Sequence, residues 1–160
     1  MKKLFVFVLL AMPFAAMSQA HSGYTASYSS NFAIADPSYS DKILMLWKDF
    51  ENNTLDKHLD MFADTVSIMF ATGPMIKGKA QNLASVKEFR NSIKNYKVIL
   101  DAWISVKSSD KNENVVCVWG TEEFTDKDGK QVKQRTHEVW KFNKDGKIDL
   151  MLQYSGADGM

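Results

Sequence analysis

Residues 115–154 read VVCVWGTEEFTDKDGKQVKQRTHEVWKFNKDGKIDLMLQY, and the spacing within this stretch decides the fold. Apolar and polar side chains alternate through 115–125, 131–142 and 148–154, the period of two that a half-buried strand requires. Polar turns at 126–130 and 143–147 separate them, and Asp128-Gly129 and Asp145-Gly146 are hairpin signals. Consecutive strands joined by such short turns form an antiparallel meander. Upstream, 98–106 alternates in the same way and joins the meander through the polar turn 108–114.

Before residue 98 the period changes. Ile43, Leu46, Trp47 and Phe50 fall at i, i+3, i+4, i+7, one stripe of a helix that Ser38 and Asp41 open as a capping box and Asn52-Asn53 closes. Thr54 is placed to cap a second, short helix with the stripe Leu55, His58, Leu59 and Phe62. A short strand follows at 65–71, broken by Gly73-Pro74, and Met75-Ile76 can pair briefly. Helical spacing returns at 79–95, with Leu83, Val86, Phe89 and Ile93 on one side. Three helices are too few to cover both faces of the sheet that follows. The economical solution is an α+β fold in which the three helices of the N-terminal half pack in the concave face of a strongly curved, mostly antiparallel sheet, a cone with an apolar mouth.

The chain has 160 residues, 45% hydrophobic and 24% charged, with 20 basic against 19 acidic side chains, the balance of one globular domain. Residues 1–20 read as a cleavable signal peptide: Lys2-Lys3, an apolar run to Phe14, and a small-residue end with the cut expected after Ala20. The apolar run is too short to span a bilayer, so the expected destination is the periplasm or the exterior, with no membrane association after cleavage. Loss of Lys2 and Lys3 turns the balance slightly acidic, which argues against a nucleic-acid partner. Residues 21–36 read as a flexible lead-in, 37–156 as the domain and 157–160 as a tail. Cys117 is the only cysteine, so no intrachain disulfide can form, and its apolar neighbours favour packing over reactivity.

The succession of elements resembles the SnoaL-like, or nuclear transport factor 2-like, superfamily of small α+β cone domains. The resemblance covers roughly 40–155. It is carried by Leu59-Asp60-Met61-Phe62-Ala63-Asp64-Thr65-Val66, by Ile76-Lys77-Gly78-Lys79, and by Val139-Trp140-Lys141-Phe142 running through Asp145-Gly146-Lys147-Ile148 to Gln153-Tyr154. It implies a pocket between sheet and helices and a dimer formed through the outer sheet face. It does not imply one activity, because the superfamily holds isomerase-, cyclase-, dehydratase- and epoxide-hydrolase-like enzymes beside secreted proteins with no assigned chemistry. Many SnoaL-like enzymes carry an Asp soon after the closing Tyr; here Tyr154 is followed by Ser155-Gly156-Ala157.

Proton transfer in such a pocket needs a carboxylate or His in apolar surroundings. Asp101, alternating with Ile99 and Trp103, is the first catalytic candidate as a general base, and His137 the second, as a group that protonates or holds a carbonyl oxygen. Alternation allows only one of His137 and Glu138 to point inward, and the residues leave open which. Trp47, Trp103, Trp119, Glu138, Trp140 and Tyr154 are the expected pocket residues. His21, His58 and His137 lack metal-ligand spacing, and no P-loop, dinucleotide or nucleophile-elbow motif is present, so no metal or cofactor is expected. The leading expectation is a small apolar molecule bound in the cone. The alternatives are an isomerase, cyclase or dehydratase moving a proton at a pocket Asp or His, and a homodimeric or partner-binding structural module.

Overall fold

The computed structural model describes residues 26–28 and 31–157. The signal-peptide reading of 1–20, His21 and most of the tail lie outside the described residues. The alternating segments form β4 (Lys94–Ser108), β5 (Glu113–Thr125), β6 (Gln131–Phe142) and β7 (Ile148–Ala157), an antiparallel meander. Gly129 and Gly146 take positive φ, 82° and 70°, as the two hairpin turns require of their glycines. In both turns the same clasp forms: the Asp126 and Asn143 side chains accept backbone N–H groups from two and four residues on.

Around the meander lie β1 (Phe32–Ile34), β2 (Phe62–Met69) and β3 (Ile76–Lys77), giving one seven-stranded sheet in the order β1-β4-β5-β6-β7-β2-β3. All pairs are antiparallel except β2 with β7. The sheet is curved and unclosed, with the helical segments packed against it. These are α1 (Ser38–Asn52), the 3₁₀ segment Leu55–Met61 and α2 (Lys79–Ser92). The fold class is the α+β cone that the spacing predicts.

Local details differ from the sequence reading. β1 falls within the stretch read as lead-in and pairs with the edge of β4. No capping box opens α1; Asp36 Oδ1 instead accepts the Ser38 N–H at 2.8 Å, and Ser40 Oγ donates to the Pro37 carbonyl. Asn53 ends the helix in the left-handed conformation, φ 57°. Thr54 caps nothing with its side chain. Its hydroxyl donates to Asp49, which also pairs with His58, so the His on the apolar stripe ties the 3₁₀ segment to α1. Burial works to raise the Asp49 pKa, but the hydrogen bonds from His58 and Thr54 outweigh it and hold the carboxyl below its usual range.

The core sits between α1 and the sheet. Ile43 and Leu46 of α1 pack with Val66 and Ile68 of β2, Val116 and Val118 of β5, Trp140 and Phe142 of β6, and Ile148 and Met151 of β7. Val116, Val118, Phe142 and Ile148 occupy alternate positions of their strands, so the concave face of the meander is the buried one.

Candidate functional site

The parity of β6 settles which neighbour points inward. Glu138 pairs with Val118 and His137 with Trp119, and directly paired residues share a face of the sheet. Glu138 therefore lies on the concave face with buried Val118, and His137 lies on the outer face. Glu138 is only 6% exposed. Its Oε2 accepts the indole N–H groups of Trp47, at 2.5 Å, and Trp140, at 2.9 Å, while its Oε1 accepts from Gln153 Nε2 at 3.1 Å. Trp47 reaches it from α1 across Gly120. A Cβ on Gly120 would stand 2.7 Å from the Ile99 carbonyl oxygen and 3.0 Å from Trp47 Cζ3, so a glycine is what lets the indole approach β5 this closely.

A second buried carboxylate shares this face. Glu122 of β5, 8% exposed, keeps the phase of Val116 and Val118. It accepts the Tyr96 hydroxyl at 2.8 Å and Gln134 Nε2 at 2.8 Å. Among the described residues, every hydrogen-bond partner of the two carboxylates is a neutral donor. Burial, reinforced by the negative charge of Glu122, pushes the Glu138 carboxyl up to about 7, against the hydrogen bonds from Trp47, Trp140 and Gln153, which favour its charged form. Burial beside Glu122 also drives the Tyr96 hydroxyl well above its ordinary range.

These groups border a cavity of about 100 Å³ between the helices and the concave sheet. Leu46, Trp47 and Phe50 of α1 and Leu55 of the 3₁₀ segment form one wall. Leu83, Val86 and Phe89 of α2 form another, and Phe62, Ile68, Tyr96, Trp140 and Met151 come from the sheet. Glu122, Glu138 and Gln153 are the polar side chains among them besides the Tyr96 hydroxyl and the indoles. Phe89 is 46% exposed, so the cavity reaches solvent beside α2. Chemically, the arrangement is an apolar, aromatic-walled chamber with two acceptors on its floor, one of which exchanges a proton near neutrality.

The expected site residues divide between two places. Trp47, Glu138 and Trp140 line the cavity. Asp101, Trp119, His137 and Tyr154 do not; with Arg135 and Gly156 they border a shallower groove of about 260 Å³ on the opposite side of the sheet. Both catalytic candidates, Asp101 and His137, are thus outside the cone. The reading of Asp101 fails at a bulge: the β4–β5 register slips between Leu100 and Ala102, leaving Asp101 as the extra residue. Beyond the slip Trp103 pairs with Val118 while Ile99 pairs with Thr121, so the alternation that seemed to put Ile99, Asp101 and Trp103 on one face is broken. Trp103 is half exposed and stays clear of the cavity. On the outer face Trp119 stacks on His137, centroids 4.7 Å apart and planes 3° apart, and His137 on Tyr154 at 6.0 Å. The sequence reading missed Glu122, Tyr96 and Gln153; the phase of Glu122 with Val116 and Val118 was the available signal.

Among the described residues, no group of three or more His, Cys, Asp or Glu side chains is placed to hold a metal ion, and no helix is long and apolar enough to cross a membrane.

A model of the SnoaL-like domain matches residues 45–151. Among solved structures, the chain is similar to an LEH-like epoxide hydrolase of M. tuberculosis, with TM-score 0.60 and 13% identity over 74% of this chain and 82% of that one. A SnoaL-like polyketide cyclase, so designated provisionally, from Jannaschia sp. CCS1 gives TM-score 0.62 and 12% identity over 79% and 91%. The epoxide hydrolase/cyclase-like enzyme SalBIII, of pyran ring formation in the polyether salinomycin, gives 0.56 and 16% over 74% and 91%. At these identities the likeness is one of fold. No curated protein matches the chain.

Proposed function

From its membership of the SnoaL-like family within the nuclear transport factor 2-like superfamily, to which the chain belongs, we propose that this protein binds a small, largely apolar molecule in its cone. The observation that carries the reading is the aromatic-walled cavity with Glu138 and Glu122 as acceptors on its floor. Apolar walls supply affinity and a few fixed polar groups supply orientation, so the ligand has a compact apolar body and a polar group that donates toward the carboxylates. Neighbours of the same fold carry the names epoxide hydrolase and polyketide cyclase, which is consistent with an organic ligand and assigns no reaction.

Proton transfer would rest on Glu138, since Asp101 and His137 lie on the outer face. A kcat that falls in Glu138→Gln by far more than ligand affinity does is the signature of such an activity. The outer face supports a second part of the proposal, a homodimer: Ile99, Ile104, Trp119 and Tyr154 leave apolar surface exposed there, Tyr154 to 50%. Export to the periplasm or exterior is proposed from residues 1–20 alone.

Native mass spectrometry of protein expressed in a bacterium with its own N-terminus tests all three parts in one spectrum. The expected result is a chain cut after Ala20, a dimer mass and a retained or added small molecule, with indole as the neutral probe. A protein that arrives empty and takes up no indole overturns the binding reading; a monomer overturns the dimer, and an uncut chain overturns export.

A further inference from the structure

Among the described residues, two buried carboxylates and no positive side chain line the cavity. Neither Lys, Arg nor His lines it, and the partners of Glu122 and Glu138 are the neutral donors Tyr96, Gln134, Trp47, Trp140 and Gln153. A buried ion without a counter-charge is costly in a low-dielectric site. The walls are suited to supplying the missing charge from outside. Indole, phenol and phenyl faces attract cations, and the combination of such faces with carboxylates is how organic cations are recognised. This aromatic wall already holds one cation. The Arg90 guanidinium lies 5.6 Å from the Tyr96 ring centroid and 5.9 Å from that of Phe50. Its Nε and Nη2 are committed to the Phe50 and Glu51 carbonyls, where α1 and α2 meet, and it does not line the cavity.

We infer that the ligand is an organic cation, an amine or quaternary ammonium on a small apolar body, seated between the aromatic walls with its charge toward Glu138 and Glu122. The inference rests on the proposal that the cone binds a small molecule, and names the class. A neutral apolar ligand fills the chamber equally well but leaves its negative charge uncompensated. An anion is repelled.

The same geometry makes a proton the competitor of the cation. With its carboxyl pushed up to about 7, Glu138 is largely protonated at pH 6 and largely ionised at pH 8. Cation binding strengthens as pH rises, whereas a neutral ligand that accepts a hydrogen bond from protonated Glu138 weakens. The titratable groups that share the cavity with Glu138 are Glu122 from β5 and Tyr96 from β4. The lining residues of α1, the 3₁₀ segment, β2, α2 and β7 are uncharged, and Glu51 and Arg90 stand at the α1–α2 junction.

Calorimetric titration of the full chain with choline and with 3,3-dimethylbutan-1-ol, in which carbon replaces the nitrogen, separates charge from shape. Choline is expected to bind at least ~10-fold more tightly at pH 8, and ~10-fold more weakly at pH 6 than at pH 8, the change in ionised Glu138 over that interval. Glu138→Gln is expected to weaken the preference and remove most of its change between pH 6 and pH 8, and Glu122→Gln to weaken it and move its pH dependence lower, since Glu122 is one of the causes that raise the Glu138 pKa; if one fails to fold, the other carries the test. Equal binding of the two probes, tighter binding of the alcohol, or an undiminished preference in a folded variant overturns the inference. If indole binds and choline does not, the cation class fails and the pocket stands; if neither binds, both fall.

Discussion

The two faces of the sheet carry similar side chains and make different environments of them. On the concave side Glu138 is surrounded by Trp47, Trp140 and Gln153 under α1. One residue earlier on the same strand, His137 lies between Trp119 and Tyr154 on the outer face, beside Asp101 and Arg135. Both places pair an ionisable group with tryptophan. The outer groove is shallow and open, whereas the chamber under α1 has walls on both sides. Helices decide this. A group on the covered face loses its water, and hydrogen bonds and apolar contact become the whole of its surroundings; on the outer face Trp119 and Tyr154 keep exposed surface, while His137 Nε2, held between their rings, is buried with no hydrogen-bond partner among the described residues. Side-chain type alone therefore says little about chemistry until the covering layer is known.

The largest test of that contrast is a pair of truncations. Trp140 is 6% exposed, packs against Phe62 with centroids 6.4 Å apart, and donates to Glu138. Trp140→Ala is expected to destabilise by roughly 3–5 kcal/mol, the range for emptying a large aromatic site in a core. Trp119, 38% exposed, is expected to cost about 1 kcal/mol or less on the same change, near the range of surface substitutions. Urea unfolding of both variants at one protein concentration supplies the comparison. Equal losses would mean that the outer face is covered in solution, which would break the contrast and favour the dimer.

The contrast was half legible in the sequence. Alternation through β5, β6 and β7, with Gly129 and Gly146 at the turns, is a local property and was readable, because a period of two needs no knowledge of the partner strand. Alternation also required His137 and Glu138 to part ways. It could not say which went inward, since that depends on where α1 lies. The bulge at Asp101 is set by pairing with β5 and leaves no mark in residues 98–106, so counting by twos carried Ile99, Asp101 and Trp103 onto one face. β1 was hidden for the same reason: Phe32–Ile34 is held as a strand by the edge of β4, in a stretch with no periodicity of its own. Glu122 was concealed by its neighbour Glu123, because two adjacent acids close to a polar turn resemble a solvated hairpin end. Only the phase of Glu122 with Val118 distinguishes the buried acid from its half-buried neighbour.

A smaller effect sharpens the contrast through pH. Glu138 has its carboxyl raised from 4.5 to about 7 in the folded protein. Between those values the folded state keeps a proton that the unfolded chain has released, so stability falls as pH rises across this window and is level with respect to Glu138 above it. The accumulated cost is ~3 kcal/mol at pH 8. Titrating groups remote from Glu138 contribute slopes that cancel in the difference between the protein and Glu138→Gln, and the coupling to neighbouring Glu122 is part of that difference. That difference is expected to move in favour of the Gln variant by ~3 kcal/mol from pH 4.5 to pH 8, most of it before pH 7. Denaturant midpoints at a series of pH values measure it. A difference independent of pH would mean that Glu138 ionises as a solvated acid does, that water reaches the cavity floor, and that the covered face shields its charge no better than the bare one. A difference that is present, and that a bound cation then removes at pH 8, would link the cost of the buried charge to the class of ligand that relieves it.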